Sequence, residues 1–272
     1  MATENLDCYL AGEQLYGDNL SLADIEKWFD DEKEGYADLY AQDGANCRYP
    51  YHALNELYGF RHFGERTFPN ALGLGSAFGD EFLPIAKRIG KLTILDPSDA
   101  YANATHVQEI PCEYRKPDLS GTLPFPDQQF DLILCLGVLH HIPNVSHVMN
   151  ECFRCLAPGG IMLVREPIIS MGDWRQPRPG LTKRERGIPL QLFEGMIQKA
   201  GFTVRYRTVC NFQALAKIAV KCGVLPYNHP LLTRLDVFLS RLFFFNRRYH
   251  ASGFFQKLRP AAVQWVLGKN KN

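Results

Sequence analysis

The chain has 272 residues, 46% of them hydrophobic, so it is long enough to bury a sizeable core. A formal net charge of +1 argues against nucleic-acid binding through overall charge. Eight cysteines without the spacing of a disulfide framework, and no basic, apolar leader after Met1, predict a cytoplasmic protein with reduced thiols.

The first predicted element is a helix over residues 18–41, where Leu22, Ile25, Trp28 and Phe29 recur at helical spacing. Residues 44–69 follow with glycine, proline and many aromatic side chains. Together they predict an N-terminal helical and aromatic cap over residues 1–69.

From residue 70 onwards, short apolar runs alternate with amphipathic segments. The predicted strands are residues 71–74, 92–95, 110–114, 131–136, 161–164, 202–209 and 262–267. The predicted helices are residues 80–89, 145–156 and 190–200, with a turn at residues 157–160. This alternation predicts an α/β fold with a doubly wound, Rossmann-like sheet of seven strands, occupying residues 70–212 and closed by a final strand within residues 259–272.

Residues 213–258 are interpreted as a helical insertion before the last strand. A strongly apolar helix is predicted over residues 231–245. Residues 234–272 hold eight Lys or Arg and one acid, Asp236. Packing against the core or a partner is one interpretation of this region. Peripheral membrane contact through residues 231–248 is another, and an anionic partner is a third.

A glycine-rich turn follows the first predicted strand, over residues 72–79, and Asp96 ends the second strand. Such a turn lets the backbone approach a nucleotide, and a carboxylate about 20 residues later suits its ribose. Asp96 could also be a solvated turn acid before Pro97.

Two further blocks make the pattern specific. Residues 123–143 read LPFPDQQFDLILCLGVLHHIP, and residues 156–160 read LAPGG. With residues 72–79 and 94–96, these blocks resemble those of class I S-adenosylmethionine-dependent methyltransferases, close to the small-molecule subgroup. The resemblance covers about half of the chain, from residue 70 to residue 209.

The resemblance implies S-adenosyl-L-methionine as the cofactor and no metal. It implies these cofactor contacts: Gly73, Gly75, Ser76, Ala77, Gly79, Asp96, Asp118, Leu119, Cys135, Leu136 and Gly137. Two positions depart from the family, which usually has an acid at position 73 and a glycine at position 77. Asp80 or Glu81 could supply the missing charge, and Ala77 would be tolerated if its φ is negative.

The candidate catalytic residues are His140, His141 and Glu166. An unperturbed histidine titrates near ~6.5, which suits a general base at neutral pH. The alternative is that both histidines pack at a helix start. For Glu166 the alternatives are a substrate contact and a salt bridge with Arg165.

Residues 167–189 form a loop where the family binds its acceptor. Trp174, Arg184 and Arg186 are the candidate substrate contacts, and the basic residues of this loop favour an anionic acceptor. A solvated mobile lid is the alternative. No Asp/Asn-Pro-Pro-Tyr string follows the fourth strand, which argues against the bases of nucleic acids as substrates.

The sequence therefore predicts a methyltransferase acting on an oxygen or nitrogen of a small, anionic acceptor. Two alternatives stay open: a non-catalytic scaffold of the same fold that binds a partner, and an RNA methyltransferase. The sequence does not determine the oligomeric state.

Overall fold

The computed structural model describes residues 6–41, 49–98, 103 and 105–271, with only the backbone described over residues 33–41. Its centre is an eight-stranded sheet of order β3-β4-β2-β1-β5-β6-β8-β7. The strands are β1 (Phe68–Leu74), β2 (Ile89–Leu95), β3 (His106–Val107), β4 (Ile110–Arg115), β5 (Phe130–Leu136), β6 (Leu156–Pro167), β7 (Thr203–Phe212) and β8 (Pro260–Gly268).

Five of the strands, β1, β2, β4, β5 and β6, run parallel to one another. The last strand, β8, runs antiparallel between β6 and β7. All seven predicted strands are present, and the doubly wound α/β class is confirmed. The predicted strand count is one short, because β3 is a two-residue strand paired antiparallel with the edge strand β4.

The helices of the described chain lie before, between and after these strands. They are α1 (Leu6–Ala11), α2 (Leu22–Ala41), α3 (His52–Tyr58), α4 (Val145–Cys155), α5 (Leu190–Ala200), α6 (Gln213–Lys221) and α7 (Pro230–Leu242). The segment predicted as an α-helix over residues 80–89 is instead a 3₁₀ helix over Asp80–Arg88 with Pro84 inside it. A proline cannot donate the backbone hydrogen bond that a continuous α-helix requires.

The residues predicted as a turn at 157–160 lie inside β6, where the pairing with β5 shifts register and Gly159 has φ of 79°. The apolar runs in the strands alternate between the two faces of the sheet. On β5, Ile133 and Cys135 join one core cluster with α4 and α5, while Leu132 and Leu134 join the other. Such two-sided burial is expected of a strand in the middle of a parallel sheet.

The insertion contributes α6 and α7, and α7 packs against the edge strand β7. The buried face of α7 carries Asp236, which accepts the backbone N–H groups of Asn211 and Phe212, each at 2.8 Å. Its opposite face leaves four large apolar side chains exposed: Leu231, Leu235, Phe238 and Leu242. No helix of the described chain is both long enough and apolar enough to cross a bilayer. The predicted domain boundaries stay predictions.

Candidate functional site

The glycine-rich turn leaves the carboxyl end of β1. Gly75 has φ of 62°, and a Cβ atom there would lie 2.6 Å from Cγ1 of Val138. Only glycine fits both the left-handed backbone and this close approach. Gly79, with φ of 73°, then starts the 3₁₀ helix.

Ala77 does not have the negative φ that the sequence analysis required, since its φ is 44°. This conformation is strained for a residue with a Cβ atom. Two hydrogen bonds hold it in place. The Tyr114 hydroxyl donates to the Ala77 carbonyl at 2.7 Å, and the Ala77 N–H donates to Asp96 Oδ2 at 3.1 Å.

The space beside Gly73 is already filled. A Cβ atom at position 73 would lie 2.3 Å from the Ser76 hydroxyl oxygen and 3.0 Å from the Phe82 ring. A carboxylate therefore cannot occupy this position without moving Ser76. Glu81 is buried instead, and it lines the same cavity as Ser76.

That cavity has a volume of about 260 Å³ and lies at the carboxyl ends of β1, β2 and β5. Of the predicted cofactor contacts, it is lined by Gly75, Ser76, Ala77, Asp96, Asp118, Leu119, Leu136 and Gly137. The other three predicted contacts, Gly73, Gly79 and Cys135, do not line this cavity. Cys135 is fully buried, and burial raises the pKa of its thiol well above the ordinary value.

Asp96 is buried and uses one carboxylate oxygen for each of two backbone N–H groups. Oδ2 accepts from Ala77, and Oδ1 accepts from Ser98 at 2.9 Å. Burial raises the pKa of Asp96, although the two N–H donors oppose that effect. A carboxylate has about four lone-pair positions, so both oxygens can still accept from a vicinal diol. Asp118, by contrast, is exposed and accepts the N–H of Ser120 at 2.8 Å.

A tight turn over residues 138–142, here called the histidine turn, follows β5 and Gly137. The fully buried Glu166 holds it, accepting the N–H groups of Val138 at 2.8 Å and Leu139 at 2.9 Å. Its second oxygen lies 2.8 Å from Nδ1 of His140. Glu166 makes no described salt bridge with Arg165. Its carboxylate instead fixes the conformation of the histidine turn.

The two histidines of this turn have opposite electrostatic environments. Burial acts to lower the pKa of His140, but the carboxylates of Glu166 and Glu185 outweigh it and raise the pKa to about 9. Burial and the charge of His140 lower the pKa of His141, although Glu32 opposes them. At neutral pH, His140 is therefore an imidazolium, and His141 is a neutral imidazole able to accept a proton.

Glu32 on α2 was not singled out from the sequence. It is fully buried, and its Oε2 lies 3.2 Å from Nδ1 of His141. Trp28, one helical turn earlier, donates its indole N–H to the His141 carbonyl at 2.7 Å. The N-terminal cap thus supplies direct contacts to the histidine turn. The only sequence signal was the apolar stripe of α2, which places Trp28 on the packed face.

Two of the predicted substrate residues, Trp174 and Arg184, lie outside both described cavities. The Trp174 ring stacks on Tyr16 with centroids 4.1 Å apart, and Arg184 pairs with Asp31 at 2.6 Å. These contacts pack the loop against the N-terminal cap, and the charged side chain of Arg184 already has a partner.

Arg186, the third predicted substrate contact, is completely buried. Its guanidinium donates to the carbonyls of Tyr16, Leu139, His140 and Ile142, at 2.8–3.1 Å. The structure thus directs this guanidinium to three carbonyls of the histidine turn and to that of Tyr16, and does not present it to an acceptor.

A second cavity of about 290 Å³ adjoins the first and shares Tyr49, Leu136 and Gly137 with it. Its walls include Tyr51, Leu54, Met171 and Tyr227, and its polar groups include His140, Arg165 and Glu166. His140, His141 and Glu185 bring three possible metal-ligating atoms within 4.8 Å of one another. Both ring nitrogens of His140 already contact carboxylates, at 2.8 and 3.5 Å.

Residues 72–164 match the protein family described as "Methyltransferase domain". Over these residues, about a third of the chain, the sequence is therefore similar to methyltransferase domains. A probable S-adenosylmethionine-dependent methyltransferase from Mycolicibacterium smegmatis is 29% identical over 96 residues, which are 35% of this chain and 36% of that protein. The ubiquinone biosynthesis O-methyltransferase of Pseudomonas fluorescens is 30% identical over 80 residues, 28% of this chain and 34% of that protein.

The matched segments thus span about a third of the length of these curated relatives. Among solved structures, the methyltransferase domain and its flanks resemble the [4+2]-cyclase SpnF, with a TM-score of 0.58 at 14% identity, covering 94% of this chain and 99% of that one. The YcgJ protein of Bacillus subtilis gives a TM-score of 0.51 at 16% identity, covering 81% and 99%. At these identities the likeness shows the fold alone.

Proposed function

We propose that this protein binds S-adenosylmethionine in the first cavity and transfers its methyl group to an oxygen or nitrogen of a small, anionic acceptor in the second. The observation that carries the proposal is the shared wall at Tyr49, Leu136 and Gly137, which brings a cofactor cavity and an acceptor cavity together at the carboxyl edge of the sheet. Holding two reactants in one fixed geometry is the main requirement of such a transfer.

The residues of the first cavity fit this cofactor. The Ser76 hydroxyl is buried there beside the Glu81 carboxyl. Gly75 leaves no room for a side chain, so its backbone can approach a ligand. Asp96 presents two carboxylate oxygens to the same cavity, and Glu81 adds a buried acid. This set suits a ligand with a ribose diol at one place and a cationic group at another.

S-adenosylmethionine supplies an electrophilic methyl group on a sulfonium. The protein's part is to position the acceptor and remove its proton. His141 lines the first cavity, and its ring centre lies 4.1 Å from that of His140, which lines the second. Burial lowers the pKa of His141, so we assign it as the general base for an acceptor atom at the boundary of the two cavities, oriented by Glu32. His140, held protonated between Glu166 and Glu185, fixes the turn.

Replacing His141 by Asn should remove turnover and spare cofactor affinity. Unchanged turnover would exclude His141 as the general base.

Calorimetric titration with S-adenosylmethionine tests the proposed function. Asp96→Asn should weaken binding by about 1–3 kcal/mol, because a charge-assisted acceptor of the ribose hydroxyls is lost. Asp131→Asn is the matched control, since Asp131 accepts the N–H of Asn70 at 3.0 Å away from both cavities. No binding to the unaltered protein at millimolar cofactor would favour a non-catalytic scaffold instead.

Peripheral membrane contact through residues 231–248 stays a prediction. The exposed apolar face of α7 favours it, as does the basic charge that surrounds this face. Co-sedimentation with anionic lipid vesicles, compared between the unaltered protein and Phe238→Ser, would test it. A cytoplasmic location stays a prediction as well.

A further inference from the structure

Arg165 near the end of β6 is the basis of a more specific assignment. Its side chain lines the second cavity, yet the residue is only 6% exposed. Its guanidinium lies over the Tyr51 ring, 3.8 Å from the centroid, and donates to Asn55 Oδ1 at 2.9 Å. The Tyr49 hydroxyl also lies within reach of this guanidinium. A guanidinium has five N–H donors, so donors remain after these two contacts.

A buried cation is costly unless an anion or several acceptors compensate for its lost hydration. Arg186 is compensated in this way, because its guanidinium donates hydrogen bonds to four carbonyl oxygens. Among the residues that the structure describes, no carboxylate forms an ion pair with Arg165. Glu166, the next residue, is occupied by the histidine turn and by His140.

The aromatic hydroxyls near Arg165 do not supply the missing negative charge. Burial raises the pKa of Tyr49 to about 12, even though Arg165 lowers it, so this phenol stays neutral at physiological pH. Burial also raises the pKa of Tyr227, and Asp236 adds to that effect. His140, the other cation of the cavity, lies between the carboxylates of Glu166 and Glu185, so its positive charge is not available to a ligand.

We propose that the second cavity selects acceptors that carry a carboxylate group on a planar, aromatic-sized body, with the carboxylate bound by Arg165. This proposal rests on the proposed function for the identity of the reaction, though not for the binding itself. A carboxylate matches a guanidinium in two parallel N–H···O bonds. Arg165 forms no described ion pair, but the Glu81 carboxyl lies close enough for Arg165 to lower its pKa and so offsets part of the positive charge. Such a site suits a monoanion better than a phosphate dianion.

The walls of the cavity agree with a flat ligand. Tyr51 and Tyr227 stack with centroids 5.3 Å apart and planes 17° from parallel, so they form a rigid aromatic side to the cavity. Leu54, Met171 and Ala262 complete an apolar lining. A ligand with its carboxylate on Arg165 and its body between these walls lies beside Leu136 and Gly137, which also line the cofactor cavity.

Benzoate and benzamide are suitable probes, because they have the same shape and differ in charge. With the protein saturated with S-adenosylhomocysteine, NMR titration should show benzoate binding about tenfold or more tightly than benzamide. Arg165→Gln should remove this preference and leave benzamide affinity unchanged. Arg165→Lys keeps the charge and loses the paired geometry, so it should retain a reduced preference for benzoate over benzamide. This variant tests the assignment even if Arg165→Gln fails to fold. Arg184→Gln, a loop arginine outside the cavity, should behave like the unaltered protein.

Equal affinity for the two probes, failure of both to bind at millimolar concentration, or a preference that survives Arg165→Gln would overturn the assignment. Competition by inorganic phosphate as effective as that by benzoate would also overturn it, since the site would then take anions without regard to shape. Titration with S-adenosylhomocysteine is measured separately. If S-adenosylhomocysteine does not bind, the proposed reaction is removed, and the benzoate and benzamide titrations of the protein alone still report on Arg165.

Discussion

Replacing Glu81 by Gln is expected to weaken S-adenosylmethionine binding about tenfold or more at pH 7.5 and only slightly at pH 5.5. Burial, with a contribution from Asp80, raises the pKa of Glu81 to about 7, while the nearby Ser76 hydroxyl and Arg165 lower it. The carboxyl is therefore mostly protonated at pH 5.5 and ionised at pH 7.5. A cationic group of the ligand binds better to the ionised form, so affinity should rise with pH across this window.

The same substitution should stabilise the protein without ligand. The folded pKa of Glu81, about 7, exceeds its ordinary value of 4.5, so the folded state binds an extra proton between these two pH values. The stability that this proton contributes is present below pH 4.5 and is lost as the pH rises through 7. A Gln at this position has nothing to deprotonate. We expect Glu81→Gln to raise the free energy of unfolding at pH 7.5 on the order of 1–3 kcal/mol.

Calorimetry in two buffers of different ionisation enthalpy measures both the affinity and the proton released on binding. Asp80→Asn is the control, because Asp80 is the neighbouring acid and lines the same cavity. Asp80→Asn should keep a rise of affinity with pH, with its midpoint moved to lower pH because Asp80 no longer raises the pKa of Glu81. If Glu81→Gln keeps that dependence too, Glu81 is not the group that meets the cation, and another acid holds the cofactor.

The predicted cofactor contacts that line the first cavity are mostly residues at the carboxyl ends of strands. Gly75, Leu136 and Gly137 lie at the carboxyl ends of strands, and parallel strands bring these ends to one edge of the sheet. Asp96 belongs to the same group, since it follows the last residue of β2. For these positions, local pattern and strand order are enough to place a residue in the cavity.

The contacts that the sequence did not predict join distant segments. Glu32 and His141 are separated by 109 positions, and only the docking of α2 brings them together. Arg186 was predicted to contact an anionic acceptor, with a solvated mobile lid as the alternative for its loop. Its burial depends on four carbonyls from elsewhere in the chain. The separation of Arg165 from Glu166 could have been predicted from the sequence. Consecutive residues of a strand point to opposite faces of the sheet, which disfavours a salt bridge between these two residues.

Arg186→Met is expected to lower the free energy of unfolding by about 3–5 kcal/mol. Methionine can fill much of the volume, but the carbonyls of Tyr16, Leu139, His140 and Ile142 would lose their common donor inside the protein. Urea unfolding at neutral pH measures the loss, and an unchanged dependence on urea concentration would show that the native state stays compact. Cofactor affinity should fall as well, because the histidine turn lines the first cavity.

Arg184→Met provides the contrast two residues away. Its guanidinium is partly exposed and pairs with Asp31 near the surface, where an ion pair contributes about 0–1 kcal/mol. A small loss for Arg184→Met beside a large one for Arg186→Met would establish Arg186 as a buried brace of the histidine turn. Similar small losses for both would mean that water replaces Arg186 at the carbonyls. The loop would then be free to present this arginine to an acceptor, as the sequence alone suggests.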